Sequence, residues 1–253
     1  MTVKALYDFL NKKIPTSLSC EWDNDGLMCC PRPEREVKKV LLTLDISAEA
    51  VDRAIDGGFD AVISHHPLVF KPIKSLNTDD CVQRRLIKLV ENGISAMSFH
   101  TRLDALDGGV NDMLAHILGL TDVEKFGQNG EDIGRIGTVP TTTAREFAEK
   151  VKKALGTIVV LYSGDRPVKR VAVLGGHGED FVWAAKMAGA DSYVSGRIGY
   201  HNMTDANDLG INLFEAGHFY TENPVLPILA YFINEFDESI EVEFEKINPI
   251  KAV

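Results

Sequence analysis

Apolar positions along this chain switch repeatedly between helical and strand spacing. Val3, Leu6, Phe9 and Leu10 recur at helical intervals behind Thr2, which predicts a first helix capped by that threonine. Residues 40–44 (VLLTL) read as a buried strand. Ser47 then opens a helix with Ala50, Val51, Ala54 and Ile55 facing inward, closed by Gly57-Gly58. A strand at 60–64, a helix at 82–91 and a strand at 94–99 follow. Thr143-x-x-Glu146 has the form of a capping box for a helix that buries Phe147, Val151 and Leu155. Strands at 159–162 and 171–174 come next. The alternation predicts an α/β fold with mainly parallel strands.

The pattern also repeats within the chain. Val40 and Val171 start matching strands at an offset of 171 − 40 = 131, and without gaps Val51 meets Val182, Ala54 meets Ala185, Gly58 meets Gly189, Asp60 meets Asp191 and Ser64 meets Ser195. Further on, a Gly-Ile strand runs into His100-x-x-x-Asp104 in one copy and into His218-x-x-x-Glu222 in the other. Burial alone produces matching apolar positions in any two βαβ units. It does not produce two His-x-x-x-acid endings, so a duplicated half is expected: 1–126 carrying the first set and 127–253 the second, with the C-terminal helix and strand free to pack back on the first half.

Composition narrows the partners. A net charge of −10 argues against nucleic acid, whose phosphates need a basic surface. No apolar run is long enough to cross a bilayer, and the amphipathic N-terminus lacks the apolar block of a signal peptide. Cys20, Cys29, Cys30 and Cys81 form no CxxC pair, which suits reduced thiols in the cytoplasm better than a disulfide framework or a zinc knuckle.

The candidate chemistry sits at strand ends. Ser64-His65-His66-Pro67 closes an apolar strand. Inside a strand two neighbouring side chains point to opposite faces, but where the backbone turns both imidazoles can project from the carboxyl edge of the sheet. His218 and Glu222 would share a face on a continuous helix. Asn223-Pro224 instead reads as the cap and first residue of the next helix, which leaves Glu222 just before a helix N-terminus. His100-x-x-x-Asp104 is the counterpart, and the repeat makes His100 the partner of His218. Imidazoles and carboxylates without thiolate suit zinc, iron, manganese, cobalt or nickel. Five or six candidates, with Glu222 able to bridge, suggest two divalent ions. His116 reads as structural. Gly175-Gly176-His177-Gly178 reads as a tight turn rather than a phosphate-binding loop. His201, after the repeat partner of the His65-His66 segment, is either an exposed helix-start histidine or a general acid or base.

WDNDGL (Trp22–Leu27), SHHPLVF, HTRLDALDGGVND, IGRIG, GGHGEDF and GHFYTE occur in the order seen in the Nif-three-like family, also called GTP cyclohydrolase I type 2 proteins, and the resemblance spans nearly the whole chain. It implies two interwoven, related α/β halves with mainly parallel sheets and a dinuclear metal centre at His65, His66, Asp104, His218 and Glu222. It also implies a toroidal homohexamer, in the short form with only a brief link near residues 126–134. By this resemblance Asp104 takes the ligand role, with His100 and His201 left to move protons. Arg102 stands where the family commonly has Asn, and Arg197 where an acidic residue is common. With Lys71 they place positive charge that could meet a phosphate-bearing, nucleotide-like substrate. The implied activity is hydrolytic opening of a purine ring with release of formate. A metal-dependent phosphoesterase and a non-enzymatic metal-binding scaffold or chaperone are the alternatives.

Overall fold

A computed structural model describes residues 1–245, 248 and 250. In chain order the elements are α1 Val3–Lys13, β1 Gly26–Cys29, β2 Lys39–Thr43, α2 Ala48–Asp56, β3 Ala61–Ser64, α3 Cys81–Glu91, β4 Ser95–Ser98 and α4 Thr101–Ala105. There follow α5 Val110–Ile117, β5 Thr121–Gln128, β6 Glu131–Thr142, α6 Ala144–Leu155, β7 Leu161–Ser163, β8 Val168–His177, α7 Val182–Met187 and β9 Ser192–Arg197. The chain ends with α8 Tyr200–Leu209, β10 Asn212–Glu215, α9 His218–Glu222, α10 Leu226–Phe236 and β11 Glu241–Phe244. The described residues fall into two units, Met1–Leu103 with 226–245, and Asp104–Val225 with 248 and 250. The division thus lies at Leu103 rather than at residue 126, and α10 and β11 belong to the first unit.

The first unit is built on a sheet of order β1-β4-β3-β2-β11, parallel throughout except for β1 at its edge. Leu41, Val62 and Ala96 of adjacent strands join Ala50, Val51 and Ala54 of α2 and Leu86 and Leu89 of α3 in one apolar cluster. Each of the leucine and valine side chains contributes about 1.5–3 kcal/mol on burial. On α1, the Thr2 hydroxyl accepts from the backbone N–H of Ala5, and Phe9 packs against Phe236 of α10 with ring centroids 5.3 Å apart. Since neighbouring residues of a strand face opposite ways, coverage by helices on both sides explains the unbroken apolar runs of β2 and β3.

Strand β11 is held to this sheet by charge as well as by its ladder. Glu243 meets Lys39 at 2.7 Å and Arg53 at 2.7 Å, and these two cations hold its carboxyl down to about 2, below its ordinary 4.5. A depressed acid contributes stability that is present above its unfolded pKa and lost as the pH falls toward its folded one. Wild type and Glu243→Gln are therefore expected to differ most in thermal midpoint above pH 4.5, with the gap closing between 4.5 and about 2. A gap independent of pH would assign the ion pairs no role in docking β11.

The second unit has a six-stranded sheet of order β5-β6-β8-β9-β10-β7. Its centre, β8-β9-β10, is parallel, and the flanking β6 and β7 run antiparallel to it. Residues 126–134, expected as a brief link, belong to the β5–β6 hairpin. Its tip is Asn129-Gly130 with φ of +53° and +85°, the Asn-Gly signature of a two-residue turn that needs positive φ at both positions. Phe147 and Val151 of α6 pack on Val171, Val173, Val194 and Phe214.

The 131-residue repeat is present in register. Val40 pairs with Ala61 and Thr43 with Ser64; 131 residues later Val171 pairs with Ser192 and Leu174 with Ser195. Asp60 accepts from the backbone N–H of Lys38 and Lys39, and Asp191 from those of Lys169 and Arg170. The matched acids thus do the same work, closing the entry to each parallel strand pair.

Candidate metal centre

In the first unit the chemistry gathers where β3 and β4 end. His65 is fully buried, and its Nδ1 lies 2.9 Å from the carbonyl oxygen of Phe99. A carbonyl only accepts, so Nδ1 carries the proton and Nε2 keeps its lone pair. His66 repeats the arrangement with Nδ1 2.8 Å from Oδ1 of Asp45, just beyond β2. His100 does so with Nδ1 2.9 Å from Oδ1 of Asp23. Burial would raise Asp23, but hydrogen bonds from His100 and Thr101 outweigh it and hold the acid at about 2, so at neutral pH it is a carboxylate. The three rings converge, with centroids 5.0, 5.2 and 5.5 Å apart, and one ligand nitrogen of each lies within 4.8 Å of the others. Anchoring one ring nitrogen to a carbonyl or carboxylate is how metal-ligating histidines are oriented. This donor set fits a divalent ion.

The loop holding Trp22–Leu27 is bound to the start of α4 through its two acids. Asp23 Oδ2 accepts from the backbone N–H and hydroxyl of Thr101, at 3.0 and 2.6 Å, and Asp25 Oδ2 accepts from the backbone N–H of His100 at 3.0 Å. The two acids satisfy the open donors at the start of α4 and so set where His100 points. Asp25 also takes the Arg102 guanidinium at 2.8 Å, and Arg102 is completely buried, donating further to Asn11 Oδ1 and the carbonyl of Ile14. Arg102 is thus an internal strut, and the expectation that it meets a substrate phosphate is corrected. Lys71 remains exposed in the loop after His66.

In the second unit His218 and Glu222 stand on one turn of α9, Nε2 to Oε2 at 2.8 Å. The expected break before Glu222 does not occur. Asn223 is the C-cap of α9, a short 3-10 turn spans Asn223–Val225, and α10 begins at Leu226. Pro224 has no N–H to bond the carbonyl of Tyr220, so the α-helix stops there and not earlier. Glu222 is 4% exposed and Asp104 8%, whereas His218 is open. Carboxylates so deeply buried need donors or a cation close by to stay charged.

Glycines make room for α9. Gly176 has φ of +66°, and a Cβ there would lie 1.9 Å from Glu222 Oε1 and 3.2 Å from His218 Nε2. A Cβ on Gly196 would lie 2.7 Å from both the His218 Cα and the Thr221 hydroxyl. The Gly176 N–H donates to the Thr221 hydroxyl at 3.1 Å, and that hydroxyl donates back to the carbonyl of His218 at 2.9 Å. Gly175-Gly176 therefore leaves the room that the Glu222 side chain occupies, a role its spacing did not announce. Arg197 ends β9 and His201 lies in the first turn of α8, both exposed. Asp23, Asp45, Gly176 and Thr221 are the participants that motif reading missed. Asp23, Gly176 and Thr221 lay within WDNDGL, GGHGEDF and GHFYTE without a role assigned to them; nothing local marks Asp45.

Fold and residues define a two-unit α/β protein whose strand ends carry histidine and carboxylate groups able to bind metal. It belongs to the Duf34/NIF3 (NGG1p interacting factor 3) family, whose model matches residues 1–251. It is 34% identical over 251 residues to a Clostridium perfringens protein named GTP cyclohydrolase 1 type 2 homolog, covering 96% of this chain and 95% of that one. It is 31% identical to a Schizosaccharomyces pombe protein named Protein NIF3 homolog, over 88% of this chain and 84% of that one. The crystal structure of the Staphylococcus aureus hypothetical protein SA1388 superposes with a TM-score of 0.89 at 28% identity, covering 100% of this chain and 99% of that one.

Proposed function

We propose that this chain binds two divalent metal ions through His65, His66, Asp104, His218 and Glu222 and is a hydrolase of the GTP cyclohydrolase I type 2 kind, opening a purine ring with release of formate. The observation that carries the reading is the anchoring of Nδ1 in His65, His66 and His100, which makes Nε2 the metal-ligating nitrogen of each ring. Paired metals in such a site lower the pKa of water and polarise a substrate oxygen or nitrogen. The protein's part is to hold the donors in place and move protons. His100, with its Nδ1 proton fixed on Asp23, is a ligand or a proton carrier at Nε2. His201 stands exposed at the start of α8 and takes no assigned step. Lys71 and Arg197 are the exposed cations left to meet phosphate oxygens.

Stripping the protein with chelator, reloading it and measuring metal per chain tests the site. Glu222→Ala is expected to lose most of both metals; two metals retained at unchanged affinity would end the bridging role. Incubation of the loaded protein with GTP, followed for formate, tests the reaction. Release of phosphate without formate would favour the phosphoesterase alternative. No turnover with any divalent metal, at full metal content, would leave a binding scaffold. A cytoplasmic homohexamer belongs to the same proposal, and sedimentation velocity tests the assembly. None of the described helices is long and apolar enough to cross a membrane.

A further inference from the structure

Beside the histidine cluster of the first unit the chain exposes two large aromatic side chains. Trp22 is 56% and Phe70 45% exposed, and their ring centroids lie 6.2 Å apart. Each also stands edge-on to His100, at 6.2 Å for Trp22 and 6.3 Å for Phe70. The three rings form a triangle whose inner corner is His100, while the two aromatic corners open to solvent. Both are tied to the histidine cluster along the chain. Phe70 follows His66 by four residues on the same loop, and Trp22 directly precedes Asp23, which orients His100. The two loops are clipped together by the Asn24 side-chain amide, which donates to the carbonyl of Val69 at 2.5 Å. Both rings lie outside the apolar cluster that Leu41, Val62 and Ala96 form with α2 and α3.

We propose that Trp22 and Phe70 are a seat for the planar heteroaromatic ring of a substrate, holding that ring against the histidine cluster. The proposal deepens the hydrolase reading above and rests on it for the identity of the reactive end. Aromatic side chains grip planar rings through their π-faces by stacking and edge contacts, with little dependence on which heterocycle is presented. Two preformed rings at an angle to each other give one stacking face and one edge wall. That shape selects a flat ring over a sugar or an alkyl chain. Because Trp22 adjoins Asp23, which orients His100, and Phe70 shares a loop with His66, a ring seated on them is placed relative to the ring nitrogens that would hold metal. Trp22 and Phe70 are thus positioning residues for the substrate.

The chain has two tryptophans, so Trp183→Phe leaves Trp22 as the sole indole reporter. In that metal-loaded background, guanosine is expected to quench Trp22 emission saturably, while ribose 5-phosphate and inorganic phosphate leave it unchanged. Adding Phe70→Ala is expected to weaken guanosine about tenfold or more with metal per chain unchanged, and Phe70→Tyr to restore it. Emission indifferent to guanosine, or equally quenched by ribose 5-phosphate, would overturn the proposal. So would a Trp22 emission that responds to protein dilution but not to guanosine, because the aromatic pair would then be a contact between copies of the chain. The two readings fail separately. Full metal content without quenching sinks the ring seat alone, and intact quenching in a wild-type protein that takes up no divalent metal sinks the hydrolase and leaves the seat.

Discussion

Replacing Arg102 by alanine is expected to destabilise the protein by about 3–5 kcal/mol, read as a lowered urea midpoint at unchanged slope. Its guanidinium is wholly buried, paired with Asp25 at 2.8 Å, bonded to Asn11 at 2.7 Å and to the Ile14 carbonyl at 3.0 Å, and stacked 4.6 Å from the Phe99 ring centre. Asp25 is itself only 5% exposed. Truncating the arginine leaves that carboxylate buried without its cation, and removal of one partner costs far more than the intact pair contributes. Lysine should recover only part of the loss, since an ammonium cannot bond Asp25, Asn11 and a carbonyl with one planar fork. The same substitution should disturb the site, because Asp25 also holds the backbone N–H of His100. A loss below about 1 kcal/mol, within the range of an ordinary surface substitution, would return Arg102 to the list of substrate contacts.

Arg102 also shows what the sequence could and could not say. Helix caps, strand runs and the repeat are local, so Thr2, Ser47 and the Thr143–Glu146 box act as read, each with the expected backbone partner. The repeat was legible down to register because Asp60 and Asp191 are fixed by the same two-residue backbone contact. What failed was the inference from chemistry to location. An arginine beside His100 looks like a phosphate ligand until Asn11, Ile14 and Asp25, more than seventy residues away in the chain, close over it. The hairpin tip at Asn129-Gly130 was legible in principle, but its flanking strands lack clean alternation, and β5 is exposed along most of its length. The carboxylates that anchor Nδ1 of His66 and His100 come from other loops, at Asp45 and Asp23, and no spacing rule predicts them.

Gly176 makes the sharpest test of the candidate metal centre, because it carries no functional group to remove. Gly176→Ala is expected to weaken metal binding by about 10- to 100-fold, the range seen when support for a ligand is lost, and to lower stability by about 1–3 kcal/mol. Two costs are mixed in that result. One is the left-handed backbone, φ +66°, which penalises any Cβ. The other is specific: the new methyl would sit 1.9 Å from Glu222 Oε1, so the carboxylate must swing out of its seat. Gly156, the C-cap of α6, separates them. It has φ of +65° and nothing within 4 Å of an added Cβ, so Gly156→Ala carries the backbone cost without the clash. Both variants should lose stability, but only Gly176→Ala should lose metal affinity, measured by titration of the chelator-stripped protein. Equal metal affinity in the two would mean that Glu222 is not a ligand, whatever its burial. A deficit in Gly176→Ala alone would tie the glycine-rich turn to the metal through the Glu222 carboxylate and the His218 imidazole packed against it.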